Sequence, residues 1–203
     1  MELNPLTALS PIDGRYARQT DALRDIFSEC AFMNARVRVE VEWLISLSEA
    51  GFAELPHLSD HGKAFLRGLA DNFSLADCEA IKEIEKTTNH DVKAVEYWIK
   101  NQVAHDEELK SASEFVHFSC TSEDINNTSH AIMLKRGREA LADYLQQIHD
   151  TIAGFAHQWA EIPMLSRTHG QTASPTTVGK EFANVAVRLE RVIEAIRAVK
   201  IYA

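Results

Sequence analysis

Apolar residues recur at helical spacing along almost the whole chain. From Thr20 to Ala50, Leu23, Ile26, Phe27, Cys30, Met33, Val37, Val41, Leu44 and Ile45 fall three and four positions apart. That spacing predicts one long amphipathic helix, with Trp43 off its stripe as a packing residue. Gly51 is a natural stop. Residues 60–73 predict a second helix on Phe65, Leu66, Leu69 and Phe73. Ser74 and Asp77 have capping-box spacing and open a third, which carries Ile81 and Ile84 to about Thr87. Val92, Val95, Ile99 and Val103 mark a fourth, and residues 104–119 read as a connection with a short helical turn.

The two longest stripes come last. Thr121 and Asp124 again have capping-box spacing, and Leu141, Leu145, Ile148, Ile152, Phe155 and Trp159 then alternate four- and three-residue steps. This predicts a helix from about Glu123 to Ala160, roughly 55 Å long, closed by Pro163. Ser174-Pro175 reads as an N-cap and first-turn proline for a second heptad helix. Its stripe is Val178, Phe182, Val185, Leu189, Val192, Ile196, Val199 and Ala203. The pair is expected to pack antiparallel across a short loop. No stretch reads as a strand, a repeat or low complexity. The expected fold class is all-α: a small helical N-terminal domain over 1–111, then over 112–203 the first long antiparallel helices of a central helical bundle. Two helices cannot cover these stripes, so further helices are expected to complete the bundle. The last stripe meets no breaker or cap, which predicts a bundle cut off at residue 203.

Charge narrows the partners. The 203 residues hold 21 Lys+Arg against 30 Asp+Glu, a net charge of −9. That disfavours general nucleic-acid binding, which draws on basic surface. It leaves room for a small anion held by a few local donors. Cys30, Cys78 and Cys120 lie far apart, with no C-x-x-C, and read as reduced thiols in a cytoplasmic protein. The nine histidines show no metal-ligand spacing. Met1 to Pro5 lack a leader's basic-then-apolar pattern, and no apolar run approaches the ~18–20 residues of a membrane helix.

Four stretches carry candidate chemistry. Ser166-Arg167-Thr168-His169-Gly170-Gln171 joins the two heptad helices. It offers a cationic fork, neutral hydrogen-bonding groups at Thr168 and Gln171, and an imidazole that can exchange a proton near neutral pH. Asn89-His90-Asp91 falls at a helix start, where free N–H groups favour a phosphate or carboxylate. Equally, Asp91 there can be a plain N-cap and His90 a solvated turn residue. Thr121 and Ser122 can cap a helix, bind an anion, or do both. Arg15 and Tyr16, on an irregular arm broken by Pro5, Pro11 and Gly14, can pack on the core or meet an anion through the guanidinium fork.

Together these stretches carry a resemblance. Asp13 to Tyr16, Thr87 to Tyr97, Thr121 to Asn127 and Ser166 to Gln171 with Ala173 and Pro175 are similar, in the same order, to segments of the adenylosuccinate lyases, a branch of the fumarase/aspartase superfamily. Thr172 departs from the pattern, where a proline is expected. The resemblance implies β-elimination of fumarate from adenylosuccinate, giving AMP, and from the succinylaminoimidazole carboxamide ribotide of purine biosynthesis. It implies no cofactor and no metal. It implies His169 as general acid, and Arg15, Tyr16, Asn89, His90, Asp91, Thr121, Ser122 and Gln171 as contacts to a substrate bearing a phosphate and a dicarboxylate. The resembled family uses a serine base on a glycine-rich loop with a Ser-Ser-x-Met-Pro-x-Lys-x-Asn-Pro pattern, which is absent here. The chain alone is therefore expected to be inactive, as the N-terminal portion of a homotetrameric enzyme with shared active sites. Another fumarate-releasing lyase (argininosuccinate lyase, fumarase or aspartase), or a non-catalytic interaction protein on the same fold, are the alternatives.

Overall fold

The computed structural model describes residues 6–51 and 54–203. Pro5 and the rest of residues 1–5 lie outside it. The described residues are mostly helical, with one small hairpin among them, and the chain falls into two compact units, one running to Leu134 and one spanning Lys135–Tyr202.

In the first unit, turns over residues 6–20 lead through a 3-10 turn at Asp21–Leu23 into α1 (Arg24–Phe27) and α2 (Glu29–Glu49). The single helix expected over 20–50 is thus broken. Ser28 is extended (ψ 163°), and its hydroxyl accepts from the Ala31 N–H, so a capping side chain restarts the helix inside the apolar stripe. α2 ends as expected, with Gly51 beyond it at φ +81°. α3 (Asp60–Asp71), α4 (Leu75–Thr88) and α5 (Asp91–Val103) follow the expected order, and α6 (Glu107–Ala112) is the short helical turn. The Ser74 N–H and hydroxyl both donate to Asp77 Oδ2, at 2.8 and 2.6 Å.

Val37, Val41, Leu44 and Ile45 of α2 form the centre of the core, against Leu66 of α3, Ile81 of α4, Val95 and Ile99 of α5 and Leu109 of α6. Trp43 packs beside it and donates Nε1–H to the Phe118 carbonyl at 2.8 Å. Cys30 and Cys78 are joined by a disulfide, their Cα atoms 5.7 Å apart, so these two are not the free thiols expected; Cys120 is free. Packing of α2 against α4 brings together residues 48 positions apart, which spacing alone does not reveal.

α7 (Ser122–Gln158) begins in the first unit and continues through the second. Thr121 N–H and Oγ1–H donate to Asp124 Oδ2 at 2.7 and 3.0 Å, the expected cap.

In the second unit α7 packs antiparallel to α8 (Val178–Ala198). Arg138 reaches the Val199 carbonyl at one end, while Gly179 meets Ala156 and Ala160 at the other. Gly179, Ala186 and Ile193, seven apart, are buried. Val185, Val192 and Val199 of the expected stripe are about half exposed, as are Leu141 and Ile148. An apolar face therefore remains uncovered. α8 stops at Ala198, with Val199 extended, five residues short of the expected run.

The loop between these helices is the main departure from the all-helical reading. Pro163–Thr168 (β1) and Gln171–Thr177 (β2) form an antiparallel hairpin, from Pro163↔Thr177 at its root to Thr168↔Gln171 at its tip. Pro175 sits in β2 opposite Leu165, so Ser174-Pro175 does not start the helix. Thr177 does: it is extended, and its Oγ1 accepts from Lys180 N–H at 3.1 Å.

Candidate active site

Two helix N-termini meet at one point of the first unit. α4 ends at Thr88, and its C-cap Asn89 takes a left-handed backbone (φ 48°) and reverses the chain. His90 follows in extended conformation and is itself the N-cap of α5; Asp91 is the first helical residue, not the cap. His90 Nδ1 accepts from the Lys93 N–H at 3.2 Å. In the neutral ring this places the proton on Nε2. Nε2 lies 3.4 Å from the Ser122 hydroxyl, on the first residue of α7. An imidazole donor, a hydroxyl and the positive ends of two helix dipoles thus converge, which suits a carboxylate or phosphate.

Asp91 is drawn the other way. Its Oδ2 accepts from Arg36 Nη2 of α2 at 2.5 Å, and its Oδ1 accepts from Val92 N–H at 2.9 Å. Burial raises the Asp91 carboxyl, but the Val92 N–H and the Arg36 charge outweigh it and hold the group below the usual carboxylate range. Arg36 Nε also donates to Asn126 Oδ1 of α7 at 2.9 Å.

A second charged pair, with Glu40 buried and His117 partly so, lies beside the approach to Thr121. His117 and Ser119 take left-handed backbones (φ 63° and 62°), and His117 Nδ1–H donates to Glu40 Oε1 at 2.6 Å. That bond raises the His117 pKa against opposing desolvation. Burial, reinforced by Glu40 and Asp124, pushes the Cys120 thiol up to about 11, so it is a poor nucleophile.

Arg15 and Tyr16 are exposed on the N-terminal turns, the guanidinium 5.4 Å from the neighbouring ring centroid. His169 belongs to the second unit. With Gly170 it forms the two-residue hairpin turn, both at positive φ (50° and 75°), and it is exposed at the tip. Gln171, the first residue of β2, pairs with Thr168 beside it.

Arg36 and Glu40 were not singled out from sequence. The available signal was a charged pair four apart on α2, next to the stripe Met33, Val37, Val41 and Leu44. Both are buried, Glu40 completely.

Residues 14–202 match the family described as Lyase, and the chain belongs to that family. Among curated relatives, adenylosuccinate lyase of Vibrio cholerae is 53% identical over all of this chain, which covers 45% of that protein. The Escherichia coli K12 adenylosuccinate lyase is 52% identical over 99% of the chain and 44% of its own length. The chain thus spans under half the length of the relatives it matches. Among solved structures, a fumarate lyase from Mesorhizobium sp. BNC1 superposes with a TM-score of 0.68 over 87% of this chain and 39% of its own, at 19% identity. The β-carboxy-cis,cis-muconate cycloisomerase of Acinetobacter calcoaceticus sp. ADP1 does so at 0.67 over 89% of this chain and 40% of its own, at 20% identity. These two bear on the fold alone.

Proposed function

We propose that the chain is the N-terminal part of an adenylosuccinate lyase, releasing fumarate from adenylosuccinate and from the succinylaminoimidazole carboxamide ribotide. The observation that carries the proposal is the convergence of His90 and Ser122 at two helix starts. Identity near 53% to adenylosuccinate lyases supports the choice of substrate.

In the proposed reaction a base takes the proton from the carbon beside a succinyl carboxylate. The C–N bond then breaks, its electrons leave with nitrogen, and the carbanion pair forms the fumarate double bond. Charge develops on the carboxylate before the bond breaks, so donors aimed there stabilise the transition state. His90, Thr121 and Ser122 fill that role, with Asn89 alongside, while Arg15 and Tyr16 take the phosphate end and Gln171 holds the substrate near the acid. His169 protonates the departing nitrogen. The base is assigned to a part of the enzyme outside this chain, so the chain alone is inactive.

The uncovered apolar face of α7 and α8 supports the further proposal of a tetramer, with four subunits' helices in one bundle and each active site shared. The division at 111/112 belongs to the same architecture. A cytoplasmic location is proposed on the purine-nucleotide substrate; the Cys30–Cys78 bond counts against it, since reducing compartments seldom sustain disulfides. Among the described residues no helix is long and apolar enough to cross a membrane.

A substrate panel tests the assignment. The chain, mixed with the C-terminal remainder of the Escherichia coli relative, is expected to release fumarate from adenylosuccinate and not from argininosuccinate or malate. Release from argininosuccinate or malate instead would move the chain to another lyase. No release from any of them, by a mixture shown to associate, would favour a non-catalytic protein.

A further inference from the structure

Arg36 is buried, 4% exposed, and its guanidinium lies where three helices meet. Its Nε and Nη2 form the two-donor edge that commonly grips a single carboxylate. Here the edge is split. Nη2 takes Asp91 Oδ2 on α5 at 2.5 Å, and Nε takes Asn126 Oδ1 on α7 at 2.9 Å. The flat face lies 3.9 Å from the centroid of Phe32, one turn back on α2, and Phe32 stacks on His130 of α7 at 4.4 Å. The group is thus held from the side as well as from the edge.

The two anchors are close to the candidate chemistry. Asp91 follows His90 directly, and Asn126 is one helical turn beyond Ser122. A single planar group therefore links the element that carries His90 to the element that carries Ser122. The same contact answers an electrostatic difficulty. A carboxylate on the first residue of α5 would repel an anion bound at that helix start. Arg36 offsets the Asp91 charge from behind and turns one of its oxygens inward.

We infer that Arg36 is a positioning residue that sets the separation of His90 and Ser122 and offsets the charge of Asp91, leaving Asp91 as its partner rather than a substrate contact. Lysine cannot take its place, because one ammonium does not reproduce two parallel donors in a plane. The catalytic consequence rests on the lyase reading above; the structural consequence does not.

The test uses Arg36→Lys and Arg36→Met in the full chain, with amide hydrogen exchange read residue by residue. Exchange at Val92, Lys93 and Asn126 is expected to quicken at least tenfold in both variants, while amides of α3 and α4 keep their rates. Equal acceleration throughout the first unit would make Arg36 a general packing residue, and unchanged rates at Val92 and Lys93 would show that it fixes nothing there; either overturns the inference. In the mixture with the remainder of the enzyme, kcat is expected to fall at least tenfold in Arg36→Lys and further in Arg36→Met, with KM changing less. Wild-type kcat in both variants would overturn the catalytic role. Absence of turnover in the wild-type mixture would strike the lyase reading, and the exchange pattern would still decide the role of Arg36.

Discussion

Gly179 stands where α8 crosses the end of α7, and adding one methyl group there tests that packing. A Cβ on Gly179 would sit 2.3 Å from the Ala156 carbonyl oxygen and 2.6 Å from the backbone N and Cα of Ala160. Comfortable non-bonded contact is about 3.5 Å, so the two backbones must separate by roughly 1 Å. Neither obstacle is a side chain that can turn away. Separation would lengthen the Gly179 N–H to Trp159 carbonyl bond, now 2.9 Å, and lift Phe182 from Phe155 and Trp159, whose centroids lie 5.7 and 5.2 Å away. Overpacking of this kind costs about 1–3 kcal/mol. Alanine regains up to ~1 kcal/mol over glycine in a helix interior, and less in a first turn. A net loss of about 1–2 kcal/mol lowers the melting temperature of a chain this size by roughly 2–8 °C. Thermal unfolding of Gly179→Ala by far-UV circular dichroism measures it. A melting temperature equal to or above wild type would show that helix propensity outweighs the clash and that α7 and α8 do not approach this closely.

Two further outcomes follow from the first unit. The pKa of His117 is raised by its bond to Glu40, so the pair's contribution to stability is complete below the ordinary histidine value of about 6.5 and fades as pH rises through the higher folded value. Melting of wild type should therefore fall with rising pH across that window more steeply than melting of His117→Gln; parallel curves would remove the pair from the account. Denatured without reductant, the chain should show one titratable thiol, Cys120, and three after reduction. Three before reduction would contradict the Cys30–Cys78 bond.

The helices were legible because their evidence is local. Ser74 with Asp77 and Thr121 with Asp124 state their own caps three residues apart, and each stripe repeats within one element. Ser28 is the instructive exception. It interrupts a stripe that continues on both sides, and only its backbone reveals that it caps rather than joins. The hairpin leaves little trace in the sequence because its strands are largely exposed, so they lack the alternation that marks a half-buried strand. Its one local sign was His169-Gly170, a pair able to take two positive φ values in place of the commoner Asn-Gly. The stretches around His90 and Ser122 could be picked out by residue type, but their convergence could not. It depends on Asn89 turning the chain after α4 and on Arg36, Asp91 and Asn126 meeting from positions as far as 90 residues apart.

The most direct test of the account is fumarate release from adenylosuccinate by the wild-type chain and by His169→Gln, each alone and each mixed with the C-terminal remainder of the Escherichia coli relative. General acid catalysis contributes about 10²–10⁴-fold. Neither chain alone should turn over. The wild-type mixture should be active, and the His169→Gln mixture at least ~100-fold slower with association unchanged. Equal rates in the two mixtures would remove His169 from the chemistry, and turnover by the wild-type chain alone would contradict the assignment of the base to the rest of the enzyme.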